Sequence, residues 1–380
     1  MRLLLVATVA RTLKAFLLPF AQHFRAAGWV VHAAASGISS SADCEQVFDR
    51  TWDIDWSRRP TDPRNFLNAV GQIRELLRKE DYDIVHVHTP VASFITRYAL
   101  RRDRKAHGRP KVIYTAHGFH FYRGGPILRN FVFLALEWLA GRWTDYLVVI
   151  NHEDEEAARR YRLLPPDRVL YMPGIGVDTR LYSPGAVDED EIRRVRQEID
   201  VSEKAPIFLM IGEFNPGKRH RDAVRALAML GRPDVHLVFA GTGPLMGSIR
   251  KMADDLGLAK QVHFLGFRKD VPALIRASVA TILPSEREGL PRSIMESLCL
   301  GVPAIGSNVR GIRDLLSDGA GLLIDVGRPD QLAGAMEWVL GHPAEARLMG
   351  ERGREQMATY DIRRIIALHE ELYDRALSEE

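Results

Sequence analysis

Short apolar runs rich in β-branched residues alternate along the chain with longer stretches whose apolar positions recur at helical spacing. That alternation is the pattern of parallel βα units. In the first half it predicts buried strands at residues 3–7, 30–35, 84–88, 112–115, 146–150 and 169–172. A segment rich in Pro, Gly and Asp follows, from Pro173 to Asp178 and on through Ser183 to Ala186, and predicts a connection between domains. The series then restarts, with strands predicted at 207–211, 235–240, 262–265, 280–283, 303–305 and 321–324. The fold expected is α/β, two facing Rossmann-like domains each with a doubly wound parallel sheet, over residues 1–180 and 181–360. The last amphipathic segment, 361–380, is expected to pack back on the first domain. Ligands of such sheets bind outside the carboxyl ends of the strands, so function is expected in a cleft between those ends.

Composition narrows the function classes. The chain has 380 residues, 46% hydrophobic and 27% charged, which suits two globular domains and excludes a disordered or collagen-like chain. The net charge of +3 is too small for a chain that wraps nucleic acid. Its distribution is uneven, +7 over residues 1–180 against −4 over residues 181–380, so the first domain is the basic one. Two cysteines, Cys44 and Cys299, cannot build a disulfide framework and suit a reducing, cytoplasmic setting. The start, Met1 to Ala7, reads as a strand rather than a leader, because Arg11, Lys14 and Pro19 cut its apolar run short. No run reaches the ~18 to 20 apolar residues of a spanning helix, and the longest candidate, 131–143, contains Glu137 and Arg142.

The segment from Ser285 to Pro303 carries the most chemistry. It follows an apolar strand and leads into a helix, and Gly289 and Pro291 suit a turn whose amides point at whatever lies above the strand. A diphosphate there gains from those amides and from the helix dipole. Two carboxylates are set into the same segment. Glu288 beside an anion makes sense where it accepts from sugar hydroxyls, and Glu296, about two helical turns further on, suits a second hydroxyl set such as a ribose. Taken as an isolated pair, the two glutamates also read as an N-terminal helix charge and a solvated helix residue.

The Glu288-x7-Glu296 spacing, with Glu288-Gly-Leu-Pro291 and Gly301-Val-Pro303 around it, resembles the nucleotide-sugar signature of retaining GT-B glycosyltransferases of family 4. The segments 83–89, 114–121, 172–178 and 212–219 resemble the capsular and exopolysaccharide branch of that family, so the likeness covers nearly the whole chain. It implies that Glu288 contacts the donor sugar, Glu296 the ribose, and the amides around Gly289 and Leu290 the diphosphate. It also implies that His117 hydrogen-bonds the donor sugar and that residues 262–268 contact the base through their backbone. Lys218 is a compact cation placed for phosphate oxygens. Gly241 permits close backbone approach to a nucleotide. Where the wider family often carries Arg, this chain has Glu213, which leaves Arg219, Arg221 and Arg292 as candidates for the second phosphate cation.

The expected donor is a nucleotide-sugar, of the UDP type by this branch, with no cofactor and no catalytic metal. His86 and His88 alternate on one strand without further ligands, and the triplets Asp53-Ile-Asp55 and Asp81-Tyr-Asp83 do not sit at strand ends suited to a metal. The expected acceptor is an undecaprenyl-diphosphate-linked saccharide. The basic N-terminal domain is expected to meet the inner face of the cytoplasmic membrane, through Arg11, Lys14 and residues 16–20, or through Tyr122, Arg123 and residues 127–129. The rival functions are a nucleotide-sugar epimerase or hydrolase on the same fold, a noncatalytic sugar-nucleotide sensor, and an NAD-dependent oxidoreductase. The last is disfavoured by the absence of a Gly-x-Gly-x-x-Gly turn after the first strand.

Overall fold

The computed structural model describes residues 1–57, 59–101 and 110–379. The chain divides into two compact units, Met1–Ile175 with Arg363–Glu380, and Gly176–Ile362. The division falls slightly before residue 180, and the C-terminal segment belongs to the first unit.

The first unit holds seven parallel strands, β1 Arg2–Val9, β2 Val30–Ser36, β3 Arg50–Asp53, β4 Ile84–His88, β5 Lys111–Ala116, β6 Tyr146–Val149 and β7 Val169–Tyr171, ordered β3-β2-β1-β4-β5-β6-β7. β1, β4, β5 and β6 are buried almost throughout because helices cover both faces of the sheet. Three helices matter below: α1 Pro90–Leu100, α2 Ile127–Gly141 and α3 His152–Arg160. The pattern of apolar residues misses β3. It is an edge strand with one neighbour and no fully buried residue, so burial imposes no apolar alternation on it. β3 ends at Asp53, so one of the acidic triplets does close a strand. Its carboxylate is used locally, accepting from the Gly37 amide at 3.0 Å and the Ser39 hydroxyl at 2.7 Å.

The second unit repeats the plan with six parallel strands, β8 Ile207–Ile211, β9 His236–Ala240, β10 Val262–Phe264, β11 Ala280–Leu283, β12 Ala304–Ser307 and β13 Gly321–Ile324, ordered β10-β9-β8-β11-β12-β13. In each sheet the order reverses beside the first strand, between β1 and β4 and between β8 and β11. Connections leave that point in opposite directions, which opens a crevice at the carboxyl ends of the two strands. Helix α4, Arg292–Cys299, follows β11. It is fastened to the sheet by the buried Ser297, whose hydroxyl accepts from Thr281 and donates to the Val302 carbonyl, both at 2.9 Å.

Candidate donor site and the histidine cluster

At the reversal point of the second unit, the loop after β8 and the loop after β11 lie side by side. Backbone joins them, the Glu286 amide donating to the Gly217 carbonyl at 2.8 Å. Asn215 shapes the first loop by accepting from the Lys218 amide at 3.2 Å. Lys218 then reaches across, and its Nζ lies 2.7 Å from Glu288 Oε1. Both side chains keep some exposure, 23% and 13%, so a ligand can compete for either. Arg219 is bound by Asp222 and, at 2.8 Å, by Glu286. Arg221 points outward, 3.8 Å from Asp222.

Glu296 is buried on α4, not solvated. Its carboxylate lies 3.0 Å from Arg292 Nε, one helical turn back, and also takes a hydrogen bond from Tyr182. Burial pushes its pKa up, and Arg292 and Tyr182 hold it back. Pro291 stands just ahead of the helix as an extended N-cap whose carbonyl takes the Ile294 and Met295 amides. Gly289 and Leu290 therefore form the turn ahead of the helix. That turn is packed from below by the loop after β12. Buried Arg310 donates from Nε to the Glu288 carbonyl at 3.4 Å, and at Gly311, with φ of +72°, a Cβ would stand 1.8 Å from the Gly289 oxygen.

Gly241 has a structural reason of its own. A Cβ there would stand 1.9 Å from the Gly212 carbonyl, so the glycine lets two protein loops meet before any nucleotide is considered. Residues 262–268 adjoin the same loops through the Gly241 amide, which donates to the Gly266 carbonyl at 2.7 Å. Glu213 is exposed and lies 3.3 Å from the Asn215 amide nitrogen.

The first unit gathers His86, His88, His117 and His369 at the ends of β4 and β5. His117 follows β5 and its Nε2 lies 3.1 Å from His88 Nδ1. His86 sits between the Tyr373 hydroxyl at 2.6 Å and Thr115 at 2.7 Å. His369, whose Nδ1 donates to the Ile365 carbonyl at 2.7 Å, and Tyr373 both come from the C-terminal helix Ile362–Ser378. Burial drives all four rings toward the neutral form, His117 and His369 to about 4 and His86 and His88 well below their ordinary value. Neutral rings that bind one another, hydroxyls and a carbonyl serve as hydrogen-bond partners rather than cations. Beside them Thr89 adopts a positive φ of 67°, unusual for a β-branched residue, and its hydroxyl takes the Thr8 amide at 3.0 Å. Tyr182, Arg310, His369 and Tyr373 are the residues that sequence reasoning misses, because each acts across a long stretch of chain; Thr89 closes the segment 83–89 that the resemblance marked, but its contact with Thr8 is not legible there.

Similarity to known proteins follows the same division. Residues 15–181 match the family described as Glycosyltransferase Family 4, and residues 191–356 match Glycosyl transferases group 1. EpsD of Bacillus subtilis (strain 168), a glycosyltransferase by assignment, is 34% identical over 98% of this chain and 96% of its own. The UDP-Gal:alpha-D-GlcNAc-diphosphoundecaprenol alpha-1,3-galactosyltransferase of Escherichia coli is 30% identical over 71% of this chain and 69% of its own. Among solved structures, Anabaena HepE in complex with UDP and glucose superposes with a TM-score of 0.82 over 99% of this chain and 100% of its own, at 18% identity. With two doubly wound sheets, loops that converge where the strand order reverses, and relatives alike over nearly its whole length, the chain belongs to the family 4, group 1 glycosyltransferases of the GT-B fold.

Proposed function

We propose that the chain is a retaining transferase. It moves a hexosyl or N-acetylhexosaminyl group from a UDP-sugar to a saccharide carried on undecaprenyl diphosphate, at the inner face of the cytoplasmic membrane, during surface-polysaccharide assembly. The observation that carries this reading is the Lys218–Glu288 pair at the crevice between β8 and β11. An incoming diphosphate competes for the ammonium, and the released carboxylate becomes an acceptor for donor-sugar hydroxyls. The galactosyltransferase of Escherichia coli supports the choice of substrates, since its name states a UDP-sugar donor and a diphosphoundecaprenol acceptor.

In this reading Lys218 and the amides of Gly289 and Leu290 hold the diphosphate, where the charge of the leaving group develops. Glu296 takes the ribose hydroxyls, with Arg292 balancing its charge, and the backbone at Gly241 lies along the nucleotide. His117 hydrogen-bonds the transferred sugar as a neutral ring. The bond from the anomeric carbon to phosphate oxygen breaks as the acceptor oxygen bonds to the same face. The acceptor proton passes to the departing diphosphate. Lys218 and the amides carry the charge that a divalent ion carries in other transferases, so no metal is required.

The test is calorimetric binding of UDP, GDP and ADP with and without EDTA. It is followed by turnover of UDP-sugars on a lipid-diphosphate acceptor, with the anomeric configuration of the product read by NMR. Selective UDP binding that survives EDTA and weakens in Lys218→Ala and Glu296→Ala, with an axial product from an axial donor, is expected. Equal binding of all three nucleotides, loss of binding in EDTA, or an inverted product overturns the corresponding part of the proposal. Free sugar or an epimer formed without acceptor points instead to the hydrolase or epimerase alternative.

A further inference from the structure

Of the two segments that the sequence offers for a membrane, the structure removes one. Leu13, Leu17 and Phe20 are buried in the first unit, Lys14 is paired with Asp43, and no large apolar residue of the segment 11–20 is more than partly exposed. The other segment is turned inside out. Along α2 only Ala140 and Gly141 are fully buried, while Ile127, Leu128 and Phe131 are 88%, 77% and 68% exposed and Val132 and Trp138 nearly half. These positions recur at helical spacing and form one face along most of the ~22 Å that fifteen residues span. A surface helix ordinarily turns its apolar stripe inward. Exposed apolar patches of this kind mark interaction sites.

The charges decide what covers it. The one acid of α2, Glu137, faces the interior. Its carboxylate lies 2.9 Å from the buried guanidinium of Arg97 and takes a hydrogen bond from the Tyr114 hydroxyl at 3.2 Å. The cations stay outside. Arg129 is exposed near the start of the helix, and Arg142, just past its end, stacks over Trp138 at 4.1 Å. Next to the first turns a pocket of about 420 Å³ is lined by Phe121, Ile127, Phe131 and Leu134 together with Glu153, Asp154, Glu156 and Arg160 of α3 and with Arg123. An apolar face edged only by arginines on its own helix is complementary to acyl chains beneath anionic headgroups. A second copy related by a two-fold axis would bring the same cations against each other.

We propose that this face of α2 docks the protein on an anionic phospholipid bilayer. The helix lies in the interfacial plane, with Leu128, Phe131 and Trp138 at the acyl boundary and Arg129 and Arg142 on lipid phosphates. The inference rests on the reading that the acceptor is lipid-linked and must be met at a membrane. The experiment is co-sedimentation of the full chain with phosphatidylcholine vesicles, with and without phosphatidylglycerol, at low and high salt. The wild type is expected to partition at least tenfold more strongly onto the anionic vesicles, and high salt is expected to weaken this. The double variant Leu128→Glu, Phe131→Glu is expected to lose it while keeping turnover on a water-soluble, short-chain acceptor. Fluorescence of Trp138 gives a second readout in the unaltered fold. Brominated lipid quenches it in the wild type, and that quenched component is absent in Trp138→Phe. Failure of the wild type to bind, equal binding by the double variant, or a dimer that the double variant dissolves overturns the proposal. Vesicle binding without transfer to any lipid-linked acceptor leaves the docking surface standing and sinks the acceptor reading instead.

Discussion

At the scale of single residues, the loops after β8 and β11, which we propose to hold the donor, are governed by ion pairs that a ligand can exchange. Lys218→Ala removes the cation from the departing diphosphate, and a fall in kcat of about 100-fold or more is expected, the size seen when one oxyanion donor is lost. Steady-state kinetics decide it, and a variant with unchanged kcat removes Lys218 from the chemistry. Glu296→Gln should raise KM for the donor about tenfold and lower thermal stability, because it leaves the Arg292 guanidinium without its carboxylate partner 3.0 Å away. A raised KM with no change in melting temperature would contradict the second half of that expectation. The histidines set a pH dependence. Each titrates near 6.5 when unfolded, whereas in the fold burial lowers His117 and His369 to about 4 and holds His86 and His88 well below their ordinary value, so below 6.5 the unfolded chain binds more protons. Stability therefore falls as pH drops from 6.5 toward 4, by up to about 1.4 kcal/mol per pH unit for each histidine. Urea unfolding across that range checks the slope, and His86→Asn should reduce it.

At the scale of elements, one loop supports another. The turn at Glu288–Leu290 rests on the loop after β12, where Gly311 combines a positive φ with a contact that admits no side chain. Gly311→Ala forces either the turn or the loop to move. A loss of about 1 to 3 kcal/mol is expected from the backbone alone, and donor binding should weaken with it. Calorimetry separates the two effects. The pair of α1 and α2 is stapled by a charge inside the core, Arg97 on α1 being 1% exposed and held by Glu137 of α2, Thr144 and the face of Tyr114. Glu137→Leu strands that guanidinium and should cost about 3 to 5 kcal/mol. Urea denaturation measures it, and a loss below 1 kcal/mol would show that Arg97 finds another partner.

At the scale of the whole molecule, the chain crosses back. The C-terminal helix buries Ile365, Ile366, His369, Leu372, Tyr373 and Ala376 within the first unit. Burial of each large apolar side chain stabilises by ~1.5 to 3 kcal/mol, so the helix's apolar face rivals the 5 to 15 kcal/mol of a whole domain. A chain ended at Ile362 should lose the first unit's folded structure and keep that of the second, a difference that hydrogen exchange by unit will show. Equal protection in both units would count against this.

Much of this was legible along the chain, and the rest was not for definite reasons. All twelve predicted strands lie within two residues of those observed at either end, because parallel strands are buried on both faces and must read as apolar runs. The edge strand Arg50–Asp53 escaped that requirement and escaped notice. The sequence also singled out the two loops that the structure brings together after β8 and β11, since spacing within a loop and the helix after it is a local property. It could not join them. The pairing of Lys218 with Glu288, the reach of Tyr182 to Glu296, the support from Arg310 and the meeting of His86 with Tyr373 span large separations along the chain. The composition of residues 11–20 and 127–129 is alike in mixing basic and apolar side chains. Only packing decided between them, because the sequence fixes which side chains a helix carries and the tertiary structure fixes which of its faces meets the core.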